Sequence, residues 1–208
     1  MTRRSKSANL AKPRKYPANR DADATRARIL KAARLLFSRN SYDGVGIREI
    51  AAEAGTDPAL PIRYFGSKEG LLREVAARAF GTEDFFNGDV SSLPEVAAGH
   101  LLGELNELTW RTGYDPFRLL LFSLGSETAG PILAEYLDKD FITPLAAALK
   151  GKLARERAVM LAAHILGLAL TRVALSSRGG ERLQKKVLHA LLVKSLQAAI
   201  APEGMNRP

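Results

Sequence analysis

The residues of this 208-residue chain that could perform chemistry point away from catalysis. His100, His164 and His189 are scattered, with no metal-ligand spacing among them. Cysteine is absent, which excludes disulfides, thiolate zinc sites and cysteine nucleophiles. No Gly-rich phosphate loop follows a strand pattern, and no G-x-S-x-G elbow occurs. No catalytic residue, metal or cofactor is therefore expected, and an enzyme is the disfavoured reading. The informative residues are 47–72, IREIAAEAGTDPALPIRYFGSKEGLL. They read as a short helix, a tight turn, a second short helix and the start of a third at Ser67. Two short helices joined by a Gly-containing turn make a helix-turn-helix, whose second helix is shaped to enter a DNA major groove.

The elements that must position this unit follow from periodicity and punctuation. Ile29, Ala33, Leu36 and Phe37 form one apolar stripe, so a first helix is expected over about 23–39, capped by Asp23 or Thr25. The segment NSYDG (40–44) breaks it. Ile47, Ile50, Ala51 and Ala54 make the inward face of the second helix, and Gly55 ends it in a left-handed conformation. Asp57 is a good N-cap for the third helix, with Pro58 at its first position. Pro61 then falls inside that helix and removes a backbone bond, which distorts its first turn. Ser67 caps the fourth helix, whose apolar face is Leu71, Leu72, Val75, Ala76, Ala79 and Phe80.

A polar linker at 81–94 separates this head from a remainder that also reads helical, over about 95–112, 116–126, 130–150, 153–176 and 180–200. Pro144 is expected to kink or split the third of these. No alternating strand pattern and no internal repeat is visible, so the fold class is all-α with about nine helices. The expected organisation is a disordered basic tail (1–20), a three-helix DNA-binding head (21–80) and a larger helical domain (81–208).

Charge supports the division. The net charge is +9, and residues 1–20 alone hold seven Lys or Arg and no acid. Residues 81–208 are neutral in sum, so the positive charge sits beside the groove reader, where it attracts a polyanion. The tail is either a solvated extension or an arm lying on phosphates or in a minor groove. The longest strongly apolar stretch, Ala158–Thr171, has 14 residues. A membrane span needs about 18, so a buried helix and no membrane partner are expected. With no secretory signal and no cysteine, the expected location is cytoplasmic.

The run ILKAARLLFSRNSYDGVGIREIAAEAGTDPALPIRYFGSKEGLL resembles the N-terminal signature of the TetR family of transcriptional regulators, over roughly residues 24–80. The AARLLF helix, the AAEAG turn and the RYFGSKEGLL end occur together and in order. Beyond residue 80 the likeness is one of layout, to the family's variable ligand-binding and dimerisation domain.

The resemblance implies that the third helix lies in the major groove of double-stranded DNA, with Asp57, Pro58, Ala59, Leu60, Ile62 and Arg63 near bases or sugars. It implies that Arg48 reaches a base or phosphate, that Tyr64 bonds a phosphate and that Lys68 adds charge at a helix N-terminus. Gly46 stands where the family usually carries Thr or Ser, which cap the second helix and touch a phosphate. Pro61 replaces a usual Leu, Ile or Val, and Ile62 replaces a frequent Tyr or His. The reader is therefore unusually apolar and suited to thymine methyl groups.

The same resemblance implies a homodimer, a palindromic operator and release by a small ligand. The dimer is expected through the last two helices, at Val159, Leu166, Leu170, Leu188, Leu191, Leu192 and Ser195. Ligand contacts are expected from Trp110, Tyr114, Phe117, Phe122, Tyr136, His164 and Arg172, and the neutral charge of this half favours an apolar ligand. A dimeric DNA-binding protein that senses nothing, or a ligand-gated activator, would carry the same sequence features.

Overall fold

A computed structural model describes residues 18–81, 89–102, 113–176 and 184–201, with side chains described for all of these except 18–20 and 172–176. Residues 1–17 of the expected basic tail, the interior of the 81–94 linker, Trp110 and residues 177–183 lie outside the described residues, while 18–20, expected as tail, are helical. All regular structure among the described residues is helical.

Four helices occupy residues 18–76, the three of the head and the helix that leaves it. The first, α1 (Ala18–Arg39), starts five residues earlier than the stripe suggested. No Gly or Pro interrupts residues 18–39, so nothing stops the helix before Asp23. Neither Asp23 nor Thr25 caps it, since both lie inside it. Ile29, Leu30, Ala33 and Phe37 are buried along its inner face. α2 (Ile47–Glu53) buries Ile50 and Ala51. It ends in a Schellman turn, with Gly55 N–H donating to Ala52 O at 3.1 Å and Thr56 N–H to Ala51 O at 2.9 Å. Gly55 has a φ of 61°, the left-handed conformation that glycine adopts at least cost.

α3 is Leu60–Phe65, two residues shorter at its start than expected. The cause is Pro61. Lacking an N–H, it cannot donate to Asp57 O, which Leu60 N–H takes instead at 3.0 Å. Asp57 still caps this tight first turn, accepting from Ala59 N–H at 2.8 Å. α4 (Lys68–Ala76) is capped by Ser67 Oγ, which accepts from Gly70 N–H at 2.9 Å. Gly70 also permits the close approach of α3, because a Cβ there would lie 2.2 Å from Phe65 O.

The larger half contains α5 (Leu93–Leu102), α6 (Pro116–Ser123), α7 (Ala129–Leu137), α8 (Thr143–Leu149), α9 (Ala154–Ser176) and α10 (Lys185–Ile200). A π-helical segment, Asp138–Ile142, joins α7 to α8, so 129–149 is one bent rod and the described helical segments number nine. Pro144 explains the bend. It has no N–H for Asp140 O, and the helix widens just before it, with Thr143 N–H reaching back to Asp138 O. Helix α6 is shorter than expected because the chain turns at 124–128, ahead of the Gly130–Pro131 pair. Pro131 then sits in the first turn of α7, where a missing N–H costs nothing.

One continuous core joins both halves, running from Ile29 and Phe37 through Leu72 and Leu101 to Leu133, Leu161 and Leu196. Helix α1 packs on α6, α4 on α7, α9 on α8 and α10, and α10 on α5. Arg157 of α9 closes the C-terminus of α10. Its guanidinium donates to Ala199 O at 3.0 Å, to Ile200 O, and to Lys150 O at 3.0 Å. A cation there also opposes the negative end of the helix dipole.

Candidate nucleic-acid interface and regulatory cavity

The outer face of the head gathers most of the expected DNA contacts. Gly46, Arg48, Asp57, Pro58, Ala59, Ile62 and Arg63 are all exposed. Pro61 turns inward and is buried, taking the place an aliphatic side chain would fill. Leu60 and Tyr64 are half-buried against the core, while Ile62 is 42% exposed. The free face of α3 and its capping turn is thus Pro58, Ala59, Ile62 and Arg63. Gly46 has no side-chain oxygen to cap α2, but its N–H donates to Glu49 Oε2 at 2.7 Å, half of a capping box.

Lys68 does not extend freely into solvent. Its Nζ lies 4.2 Å from the centre of the Tyr42 ring. Burial lowers its pKa, against the carboxylates of Asp43 and Glu49, which favour its charge. Burial raises the pKa of Tyr42, helped by Glu69 and Asp43. Arg26 pairs with Glu74 at 2.8 Å and stacks on the Phe65 ring at 4.8 Å.

The expected ligand residues do not converge. An apolar cavity of about 30 Å³ is lined by Ala79, Phe80, Pro116, Phe117, Leu137, Phe141, Ile165 and Leu166. Among the described nominated residues only Phe117 lines it, joined by Leu166, which had been assigned to the dimer. Tyr136 instead borders an open cleft with Tyr64, Phe65, Gly70, Arg73, Glu74 and Ala77. Tyr114 stacks under the Arg34 guanidinium at 4.2 Å, and burial pushes its pKa up to about 12. Phe122 is exposed, with the Arg118 guanidinium 5.6 Å from its ring. His164 Nδ1 is 2.6 Å from Met160 O in its own helix. The side chain of Arg172 lies outside the described residues, as does Trp110. Sequence periodicity does not single out this lining, because its aliphatic residues look like any other core positions.

The outer faces of α9 and α10 expose large apolar side chains among charged residues such as Arg155, Lys186 and Lys194. Val159 (44%), Met160 (52%), Val187 (49%) and Leu191 (59%) are exposed. Leu166, Leu170, Leu188 and Ser195 are half-buried, and Leu192 belongs to the core. Val187 belongs to the apolar stripe of the last helix, and Met160 is an exposed neighbour of the nominated Val159.

Two family models match this arrangement. Residues 29–75 match "Bacterial regulatory proteins, tetR family", and residues 95–200 match "Tetracyclin repressor-like, C-terminal domain". The chain belongs to the TetR family. TetR-family proteins are DNA-binding regulators rather than enzymes, in keeping with the lack of catalytic motifs. The chain is 36% identical over 119 residues to the HTH-type transcriptional regulatory protein RaaS of Mycobacterium tuberculosis, covering 57% of this chain and 52% of the relative. It is 43% identical over 58 residues to the HTH-type transcriptional repressor SCO4008 of Streptomyces coelicolor, covering 28% of this chain and 30% of the relative. These matches span about half or less of each relative's length.

Among solved structures, the TetR-type fold is shared with NalD of Pseudomonas aeruginosa, the secondary repressor of the MexAB-OprM multidrug efflux pump. That likeness has a TM-score of 0.64 at 19% identity, covering 88% of this chain and 100% of NalD. A TetR-family regulator from Rhodococcus gives a TM-score of 0.62 at 17% identity, covering 86% and 100% of the two chains. No helix among the described residues is long and apolar enough to cross a membrane.

Proposed function

We propose that this TetR-family protein is a dimeric transcriptional repressor that binds a palindromic operator and is released by a small apolar ligand. The observation that carries the reading is the placement of the cavity. Its lining draws on Ala79 and Phe80, just past α4, and on α6, α9 and the bent rod. Anything that enters must move the helix leaving the DNA-reading head. At about 30 Å³ the cavity is far smaller than the roughly 300 Å³ of an occupied small-molecule site. Entry therefore requires the segment just past α4 to part from α6 and α9, and such a parting in each protomer would alter the separation of the two heads. A coupling of about 1–3 kcal/mol would change DNA affinity roughly 5- to 150-fold.

Within this reading, Ile62 and Arg63 face base edges. Arg48, Tyr64 and Lys68 hold phosphates, and the 1–20 tail adds sequence-independent charge. Homodimerisation uses Val159, Met160, Val187 and Leu191, which would otherwise leave apolar surface in water. The repressor names of SCO4008 and NalD support repression over activation. A cytoplasmic site of action follows from the proposed operator. The closed cavity favours one alternative, a DNA-binding dimer without a ligand.

Mobility shifts on DNA upstream of the protein's own gene, across several salt concentrations, test the DNA-binding half. A dimer-sized, salt-sensitive specific complex is expected, and its absence on that and on selected DNA would remove the repressor reading. Thermal shifts across a library of apolar compounds test the sensing half. A uniformly flat response would favour the ligand-free alternative.

A further inference from the structure

The turn that leads into the helix-turn-helix is held from behind by the regulatory half. Tyr42 lies in this turn, between α1 and α2. Its backbone N–H donates to Ser123 Oγ at 3.2 Å, a buried bond between residues 81 apart in sequence. Ser123 is the last residue of α6 and is fully buried. Beside it, Asp43 Oδ1 accepts from Ser126 Oγ at 3.1 Å, and that same hydroxyl accepts from Ala129 N–H at 3.2 Å at the start of α7. The turn is therefore bonded at two successive residues to the α6–α7 connection. The Tyr42 ring itself is nearly buried, with the Phe37 ring 5.6 Å away, and it carries Lys68 Nζ at 4.2 Å.

Resting on the proposal that the head binds DNA, we infer that Ser123 is a positioning residue for that binding: by fixing the Tyr42 backbone it keeps the Tyr42 ring under Lys68 and holds that ammonium at the N-terminus of α4, ready for a phosphate. A lysine ammonium on its four-carbon stem has no preferred direction of its own. Resting on an aromatic face gives it one. The helix dipole of α4 and the Lys68 charge then act on the same anion.

The chain of contacts also reaches the cavity. Pro116 and Phe117, in the first turn of α6, line it, and Ser123 closes the same helix about 10 Å further along. A displacement of α6 at its first turn is delivered to Tyr42 at its last. Ser123 thus joins the regulatory half to a phosphate contact without touching DNA.

The test is a double-mutant cycle on the full-length protein, with binding to a selected operator followed by fluorescence anisotropy across salt concentrations. Each phosphate contact contributes about 0.9 to the slope of log affinity against log salt, so Lys68→Ala in both protomers is expected to flatten it by about 1.8. Ser123→Ala is expected to flatten the slope in the same direction, and the double variant to be no flatter than Lys68→Ala alone. A Ser123→Ala slope equal to wild type, or effects that simply add, would overturn the inference. Thermal melts show whether Ser123→Ala folds. If it does not, Ser123→Cys, of similar volume and with a weaker acceptor, is read in its place by the same criteria. Tyr42→Leu, which keeps the backbone bond and removes the ring, is expected to reproduce the flattened slope. A wild-type protein that binds no DNA would remove the DNA-binding reading and this inference together. A normal wild-type slope with an unchanged Ser123 variant removes the inference alone.

Discussion

Arg63 is the one cation on the free face of α3, flanked by Ile62 and by the small residues Pro58 and Ala59. Arginine reads guanine through two parallel donors, whereas isoleucine can only meet a thymine methyl group. Arg63→Ala is expected to cost about 1–3 kcal/mol of specific binding and to relax preference at one base pair per half-site. Binding to operators substituted base by base measures this. Uniform weakening across all operators would make Arg63 a phosphate contact instead. Gly70 illustrates a different residue-scale constraint. Gly70→Ala places a Cβ against Phe65 O and is expected to destabilise the protein by about 1–3 kcal/mol in a thermal or denaturant melt. Gly167→Ala, where a Cβ meets nothing within 4 Å in the protomer, is the matched control.

At the scale of elements, the sequence foretold what depends on local chemistry. The Ser67 cap, the Gly55 turn, the Asp115–Pro116 start of α6 and the disturbance at Pro144 are all legible, because each rests on one or two residues. What was not legible depends on partners far away in sequence. The Ser123 and Ser126 bonds to the head span more than 80 residues, and in sequence the two look like ordinary serines near the end of a helix. The cavity lining was hidden for the same reason, since Ile165 and Leu166 are indistinguishable from core until the helices are assembled. The Arg157 cap of α10 is equally non-local. Arg157→Met is expected to free three carbonyl partners and lower stability by about 1–3 kcal/mol, read as a reduced melting midpoint with the helical signal below it retained.

At the scale of the whole molecule, the proposed function needs two copies acting together. A single small head binds weakly, and operator symmetry mirrors protein symmetry only when two heads are fixed about 34–36 Å apart. Val159, Met160, Val187 and Leu191 leave an apolar surface on α9 and α10 that a second copy would cover. Leu191→Glu places a charge on that surface without disturbing the core. It is expected to yield monomers in sedimentation velocity and to weaken operator binding at least tenfold. An unchanged dimer would move the interface elsewhere. Dimeric operator binding is tested most directly by selecting the full-length protein's preferred sites from random-sequence DNA. An enriched two-fold symmetric sequence with half-sites about one helical turn apart, bound by a dimer, is expected. Enrichment of no sequence, or of a single asymmetric half-site bound by a monomer, would contradict it.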